Sequence, residues 1–275
     1  MIQTMTQTIE TSVQYLKNDQ ALAVYKASVA GGELVPHEGN YIAHTVTVKN
    51  ARGINHQLDL DREGFRLVEK STQVIDFYDD SQLDTYETEV KSLLVETMGA
   101  SEVMIFDHTR RSSSASVRST RNIRESSSVI HNDYSDASGH VRLKDYLQAI
   151  NHNKADDLLN RDFAIINVWR SINSTIINHP LAMCSATSVA ESDLVPVKRE
   201  GKERMGELQL MLHGVNHQWC YFPNMSSDEA LMFKTFDSRK DGRTRFTAHT
   251  SIEDPNAPTD APPRESIESR CFVFF

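Results

Sequence analysis

From Phe163 to the C-terminus the sequence is a nearly unbroken succession of short strand-like runs. FAIINVWRSI (163–172), LAMCSATSV (181–189), ELQLMLHG (207–214), HQWCYFPNM (217–225), EALMFKTFD (229–237), RFTAHTSI (245–252) and ESRCFVFF (268–275) carry the apolar, aromatic and β-branched residues of strands. Turn formers separate them: Pro180, Gly201, Gly214 to Asn216, Pro223, Gly242, and the stretch from Asp254 to Pro263. Strands at this spacing protect their edges by stacking or closing, so the expected class is mainly β with flanking helices, as a sandwich, jelly roll or barrel.

The first part of the chain supplies supporting elements. YIAHTVTV (41–48) and QVIDFYD (73–79) are expected strands, and TQTIETSVQYLK (6–17) an opening helix. A longer helix is expected over 81–98, where Leu83, Tyr86, Val90, Leu93 and Leu94 recur at three- and four-residue steps and Gly99 stops the pattern. EVMIFDHT (102–109) reads as a buried strand, and helices are expected near 141–150 and 154–160. At 275 residues the chain suits one domain, with 1–100 as N-terminal strands and supporting helices and 101–275 as the β core.

Composition excludes several partners. A net charge of −9 argues against nucleic acid and anionic membrane surfaces, which attract cationic patches. No run approaches the roughly 18 apolar residues of a membrane span, and MIQTMTQTIE has no signal-peptide pattern. Cys184, Cys220 and Cys271 form no CxxC pair and read as buried thiols, which points to a reducing, cytoplasmic location. Nothing in the sequence fixes the oligomeric state.

Dinucleotide, P-loop and α/β-hydrolase motifs are absent. One metal signature remains, His131-Asn132-Asp133 in SVIHNDYS. On a strand, residues two apart share a face, so Val129, His131 and Asp133 aim together. A buried His and Asp need each other or a metal to offset desolvation. His249, in RFTAHTSI near the C-terminus, is the best third ligand. Two imidazoles and one carboxylate leave open positions on iron, the arrangement of ferrous oxygenases. After a Pro-rich loop come Arg264 and Ser266, which share a strand face and suit the distal carboxylate of 2-oxoglutarate by a guanidinium fork plus a hydroxyl. Arg270, on the same alternation, competes for that role.

For the substrate, Arg170 lies on the face of Ala164, Ile166, Val168 and Ile172 and is read as the partner of a substrate carboxylate. Trp169, Tyr134, Phe272 and Phe274 are candidate walls. RRSSSASVRSTRNIRESSS (110–128) holds eight Ser and five Arg, a composition of surface loops. Its place before His131 also makes it, with Arg111, a candidate cationic lid over an anionic ligand.

IFDHTRR, VIHNDYSDASG, INVWRSI with PLAMC, YFPNM with DEALMFKTFDS, and RFTAHTSIEDP with PRESIESR follow one another in order. Together they resemble the fungal hydroxylase/desaturase family of natural-product pathways, relatives of the cephalosporin 7α-methoxylase accessory chain, from about residue 40 to the C-terminus. The resemblance implies a double-stranded β-helix (a jelly-roll, cupin-like barrel) that uses Fe(II), 2-oxoglutarate and O2 to hydroxylate, desaturate or cyclise a small, amino-acid-derived secondary metabolite. Cys184-Ser185 departs from the family pattern, which has an acidic residue there. Two other classes stay open: a catalytically inactive barrel serving as an accessory chain in a biosynthetic complex, and a zinc hydrolase on the same triad.

Overall fold

The computed structural model describes residues 8–19, 21–31, 36–173, 175–202 and 204–275. Its strands are β1 (Thr8–Leu16), β2 (Val24–Lys26), β3 (Tyr41–Asn50), β4 (Phe65–Glu69), β5 (Glu102–Ser112), β6 (Arg124–Glu125), β7 (His131–Asn132) and β8 (Phe163–Ser171). They continue as β9 (Leu181–Cys184), β10 (Leu194–Glu200), β11 (Gly206–Met211), β12 (Trp219–Tyr221), β13 (Glu229–Asp237), β14 (His249–Ser251) and β15 (Glu265–Phe274). The helices are α1 (Leu83–Met98), α2 (Ala115–Arg121), α3 (Asp136–Ala149) and α4 (Ala155–Leu159). None is long and apolar enough to cross a membrane.

The strands form two sheets. One has nine strands in the order β1-β3-β12-β9-β14-β7-β11-β10-β2, the other six in the order β4-β13-β8-β15-β5-β6. Chain neighbours are rarely sheet neighbours, the non-local pairing of a jelly roll. The N-terminal strands are built into both sheets: β1, β2 and β3 into the larger, β4 into the smaller.

Two helices fix the orientation of the six-stranded sheet. Tyr86, Val90, Leu93 and Leu94 of α1 pack on Ala164, Ile166 and Val168 of β8 and on Ile267, Cys271 and Val273 of β15. That is the outer face. Gly99 ends α1 in a left-handed conformation at φ 64°, where its amide N–H caps Val95 O at 3.0 Å. Leu143 and Leu147 of α3, with Leu158 of α4, close one end of the space between the sheets over Phe163, Phe236, Phe272 and Phe274. Gly139 makes this closeness possible, since a Cβ there would stand 2.3 Å from the Phe236 ring.

Several expected elements take another form. The expected opening helix is β1, paired with β3 from Thr8 opposite Lys49 to Leu16 opposite Tyr41. Ile9, Thr11, Val13 and Tyr15 are buried at a period of two, which overrides local helix propensity. Residues 6 and 7 of that segment lie outside the described residues. Residues 73–79 form no strand; the Glu89 and Gln82 side chains take their amide hydrogens instead. β4 and β10 carry no turn-bounded alternation strong enough to mark them. The three cysteines are free and buried.

Candidate metal centre

His131 and His249 stand directly opposite each other on adjacent strands β7 and β14, in the middle of the nine-stranded sheet. Their ring centroids are 4.5 Å apart. Each ring is oriented the same way: Nδ1 of His131 meets Val129 O at 2.8 Å, and Nδ1 of His249 meets Thr247 O at 3.0 Å. An N–H on each Nδ1 donates to that carbonyl and leaves Nε2 as the acceptor, the tautomer a metal ligand needs. Asp133 follows β7, with Oδ1 3.6 Å from His131 Nε2. One ligand atom from each of the three residues lies within 4.8 Å of the other two.

The chain between the ligands explains why they converge. Asn132 is fully buried and donates to Tyr134 O at 2.6 Å, Gln209 Oε1 at 3.0 Å and Thr235 O at 3.1 Å, while Oδ1 accepts from the Thr247 amide at 3.2 Å. It therefore ties β7 to β11, to the opposite sheet through β13, and to the segment leading into His249. Ser135 then caps α3 in a reciprocal capping box with Ser138, which fixes where the strand segment ends.

Asp133 is aimed from the opposite sheet. Its Oδ2 accepts from Asn167 Nδ2 of β8 at 2.8 Å and from Arg270 Nε of β15 at 3.0 Å, leaving Oδ1 for the site. Burial opposes its ionisation, but Arg270, with the Asn167 amide, outweighs that and holds the carboxyl well below its ordinary range. Burial, with His249 beside it, pushes the His131 pKa down to about 3, so the ring is neutral. Two buried imidazoles and one largely buried carboxylate fit a divalent iron.

Arg264 and Arg270 differ in their partners. Arg270 pairs with Asp133, with Asp107 of β5 and with Glu268 of its own strand. Its charge is fully committed to these three carboxylates. Arg264 is 3% exposed and pairs with no carboxylate among the described residues. It donates to His179 O at 2.8 Å, Ser251 Oγ at 3.2 Å and Ser126 Oγ at 2.5 Å. Its Nε has no acceptor, and neither has the buried Ser266 hydroxyl a partner. Burial and nearby Arg111 push the Arg264 pKa down to about 9 against the weaker pull of Glu268, as expected of a buried cation paired with no carboxylate. Trp169 lies under the guanidinium, centroid to Cζ 5.5 Å. Two unsatisfied buried donors beside a lone cation fit a ligand carboxylate.

A cavity of about 460 Å3 opens onto His131 and Asp133, with Tyr134, Phe106 and Arg111 among its walls. The 110–128 segment is folded here, into the end of β5, α2 and β6, and lends Arg111 to that wall. Arg170, expected to meet a substrate carboxylate, does not line this cavity. It does share a face with Ala164, Ile166 and Val168, but that face is the outer one, against α1, where its guanidinium lies 5.9 Å from the Tyr86 ring centroid and donates to Ser227 O. Residues 167 and 169 point inward instead. Phe272 and Phe274 are fully buried in the cluster under α3; Phe272 stacks behind Phe106 at 4.2 Å and does not line the cavity. Sequence reasoning missed Asn167, although its alternation with Trp169 places it on the inward face.

Comparisons with known proteins bear on this geometry. A family model described as "Oxidoreductase/YMDC permease-like domain" matches residues 13–274. The hydroxylase/desaturase CTB9 of Cercospora beticola is 32% identical over 267 residues, covering 89% of this chain and 81% of the relative. The Fe(II)/2-oxoglutarate-dependent dioxygenase nvfI of Aspergillus novofumigatus is 31% identical over 245 residues, covering 86% and 84%. A solved structure of a variant of the iron and alpha-ketoglutarate-dependent endoperoxidase NvfI superposes with a TM-score of 0.80 at 25% identity, over 98% of this chain and 99% of that one.

Proposed function

Starting from the premise that this chain belongs to the fungal hydroxylase/desaturase family and is an Fe(II)/2-oxoglutarate-dependent dioxygenase, we propose that His131, Asp133 and His249 hold its iron and that Arg264 and Ser266 hold its 2-oxoglutarate. The observation that carries the assignment is the contrast between the two arginines of the last strand, one saturated with carboxylates beside the metal ligands and one buried without any. Once bound, iron(II) and 2-oxoglutarate would supply oxidation of a carbon–hydrogen bond by O2, with 2-oxoglutarate as the co-reductant.

The chain's own residues do the rest. Nδ1–H bonds to the 129 and 247 carbonyls keep both Nε2 atoms available. Arg270 and Asn167 restrain Asp133 through one oxygen so that the other binds the metal. Arg264, gripped by His179 O and two serine hydroxyls, is a pre-organised donor for the distal carboxylate of the cosubstrate. Tyr134 and Phe106 shape the space where the substrate meets the metal. The reaction is a hydroxylation, desaturation or ring closure of a small secondary metabolite. Arg170 faces away from the cavity and lends no support to an amino-acid-derived substrate, which then rests on the family resemblance alone. The accessory-barrel reading is not favoured, because an idle barrel has no use for three aimed ligands and a buried arginine short of an anion.

The test is anaerobic addition of iron(II) and 2-oxoglutarate, watched for the weak visible charge-transfer band of the chelate. The wild type should give the band, and Asp133→Ala should lose it together with tight iron binding. A band that survives Asp133→Ala, or one absent from iron-loaded wild type, refutes the assignment.

A further inference from the structure

The cavity over the metal ligands has an uneven charge. Its two carboxylates, Asp107 and Asp133, are both engaged by Arg270. The remaining charged walls are cationic, with Arg111, Arg142, Arg199, Lys202 and Arg204 among them, in a chain whose net charge is −9. Arg111, Arg142, Arg199 and Arg204 are half-buried, and none forms an ion pair with a carboxylate among the described residues.

These guanidiniums are held in place by groups other than acids. Arg142, on α3, lies over the Phe106 ring at 4.5 Å. Arg204 lies against Gly206, where a Cβ would come within 3.1 Å of its Nη1, and Arg199 lies against Gly201 in the same way at 2.9 Å. Arg199 Nη1 donates to Arg204 O at 3.1 Å, and Arg111 Nη1 to Glu125 O at 2.6 Å. Burial, with Arg142 and Arg199 adding to it, lowers the Arg204 pKa against the opposing pull of Tyr134 and Asp145. Like charges brought this close in a partly dry cavity are costly unless an anion joins them. The iron ligands and Arg264 use none of them.

We propose that this wall, Arg142 with Arg204 at its centre, binds a carboxylate on the primary substrate, so that the enzyme oxidises an organic acid and presents its carbon skeleton to the metal past Tyr134. The inference rests on the oxygenase reading of the same cavity. Planar forks favour a carboxylate, which can accept two parallel N–H bonds. A cavity of about 460 Å3 suits one small metabolite, not a polymer.

Equilibrium dialysis of labelled benzoate against the anaerobic chain loaded with iron(II) and 2-oxoglutarate tests this. Benzoate should be taken up saturably, one per chain, and methyl benzoate should not compete. The double variant Arg142→Met/Arg204→Met should weaken uptake at least about tenfold and keep the charge-transfer band, which also reports that it folds. Arg142→Lys/Arg204→Lys should recover part of the uptake. No saturable uptake, equal competition by methyl benzoate, or undiminished uptake in the methionine variant overturns the proposal. So does displacement by sulfate as effective as by acetate, since the site would then suit tetrahedral anions, and so does loss of the band in that variant, since the wall would then serve the cosubstrate. A wild type that lacks the band strikes the oxygenase reading instead, and benzoate uptake is read independently of it.

Discussion

Replacing Arg264 with Met should move cosubstrate affinity and protein stability independently, which is unusual for a buried arginine. In the absence of ligand, Arg264 makes three hydrogen bonds to neutral acceptors and leaves Nε without one. Each such bond, donated by an ionised group, contributes about 1.5 kcal/mol net. Against their loss stands the removal of a desolvated cation that has no counter-ion, a penalty of several kcal/mol. The two nearly cancel, so unliganded Arg264→Met should unfold within about 1 kcal/mol of wild type. With 2-oxoglutarate the balance changes. A fork on the distal carboxylate makes two charge-assisted bonds of about 1.5–3 kcal/mol each. Taking the lower value, about 3 kcal/mol is lost, and the dissociation constant should rise roughly 150-fold.

Two measurements on the same samples read this. The charge-transfer band titrated with 2-oxoglutarate under anaerobic conditions gives the affinity. Thermal unfolding gives the stability: cosubstrate at a hundred times its dissociation constant contributes about 2.7 kcal/mol to the wild type, roughly 5–10 °C for a chain of this size. That increment should vanish in Arg264→Met. Arg270→Met is the counter-case, because it strands Asp133, Asp107 and Glu268 and should cost about 3–5 kcal/mol. An affinity change below about fivefold, or a stability loss in Arg264→Met as large as that in Arg270→Met, refutes the reasoning and makes Arg264 a structural residue.

Asn167→Leu removes one of the two bonds that aim Asp133 and should weaken iron(II) about 10–100-fold in chelator competition, with unfolding little changed; an unchanged iron affinity would show that Arg270 alone suffices. Asp237 is buried against Lys234 at 2.7 Å and Arg239 at 2.8 Å, and these contacts more than offset burial and lower its pKa. Its stabilisation is therefore complete above about pH 4 and is lost as pH falls through the depressed folded value. Asp237→Asn should cost about 3 kcal/mol at neutral pH and flatten the acid limb of a stability–pH profile; an acid limb as steep as wild type's would assign it to other carboxylates.

How much of this was legible in the sequence varied with the range of the interaction involved. The His131-Asn132-Asp133 alternation put two ligands on one face because a strand's period is two, and that rule is local. The class of fold was legible for the same reason. The opening segment suits a helix as well as a strand, because Ile9, Val13 and Leu16 satisfy steps of four and three while Ile9, Val13 and Tyr15 satisfy a step of two. Pairing with β3 along the whole of β1 decides between them, and that partner lies far along the chain. For Arg170 the alternation was right but the face was wrong. Which side of β8 is inside depends on where α1 docks, and nothing in residues 163–172 encodes that. Arg142, Arg199 and Arg204 were invisible as a group, since they come from α3, β10 and the segment before β11.

The inward face of β15 shows why carboxylates, and not arginines, carried the assignment. Arg264, Ser266, Glu268 and Arg270 alternate along it, and by sequence spacing either arginine suits a carboxylate ligand. Glu268 stands between them and could neutralise either. It pairs with Arg270, where Asp107 from β5 and Asp133 from the far sheet add two more acids. Three carboxylates around one guanidinium leave no attraction for a fourth. At the other end the neighbours are His179 O, two serine hydroxyls and the face of Trp169, which solvate a cation without cancelling it. His179 adopts φ 54°, a left-handed conformation costly for a residue with a side chain, and its carbonyl accepts from Arg264 Nη1. The fold thus accepts strain at this point to keep one arginine charged, oriented and short of an anion, and a cosubstrate carboxylate completes it.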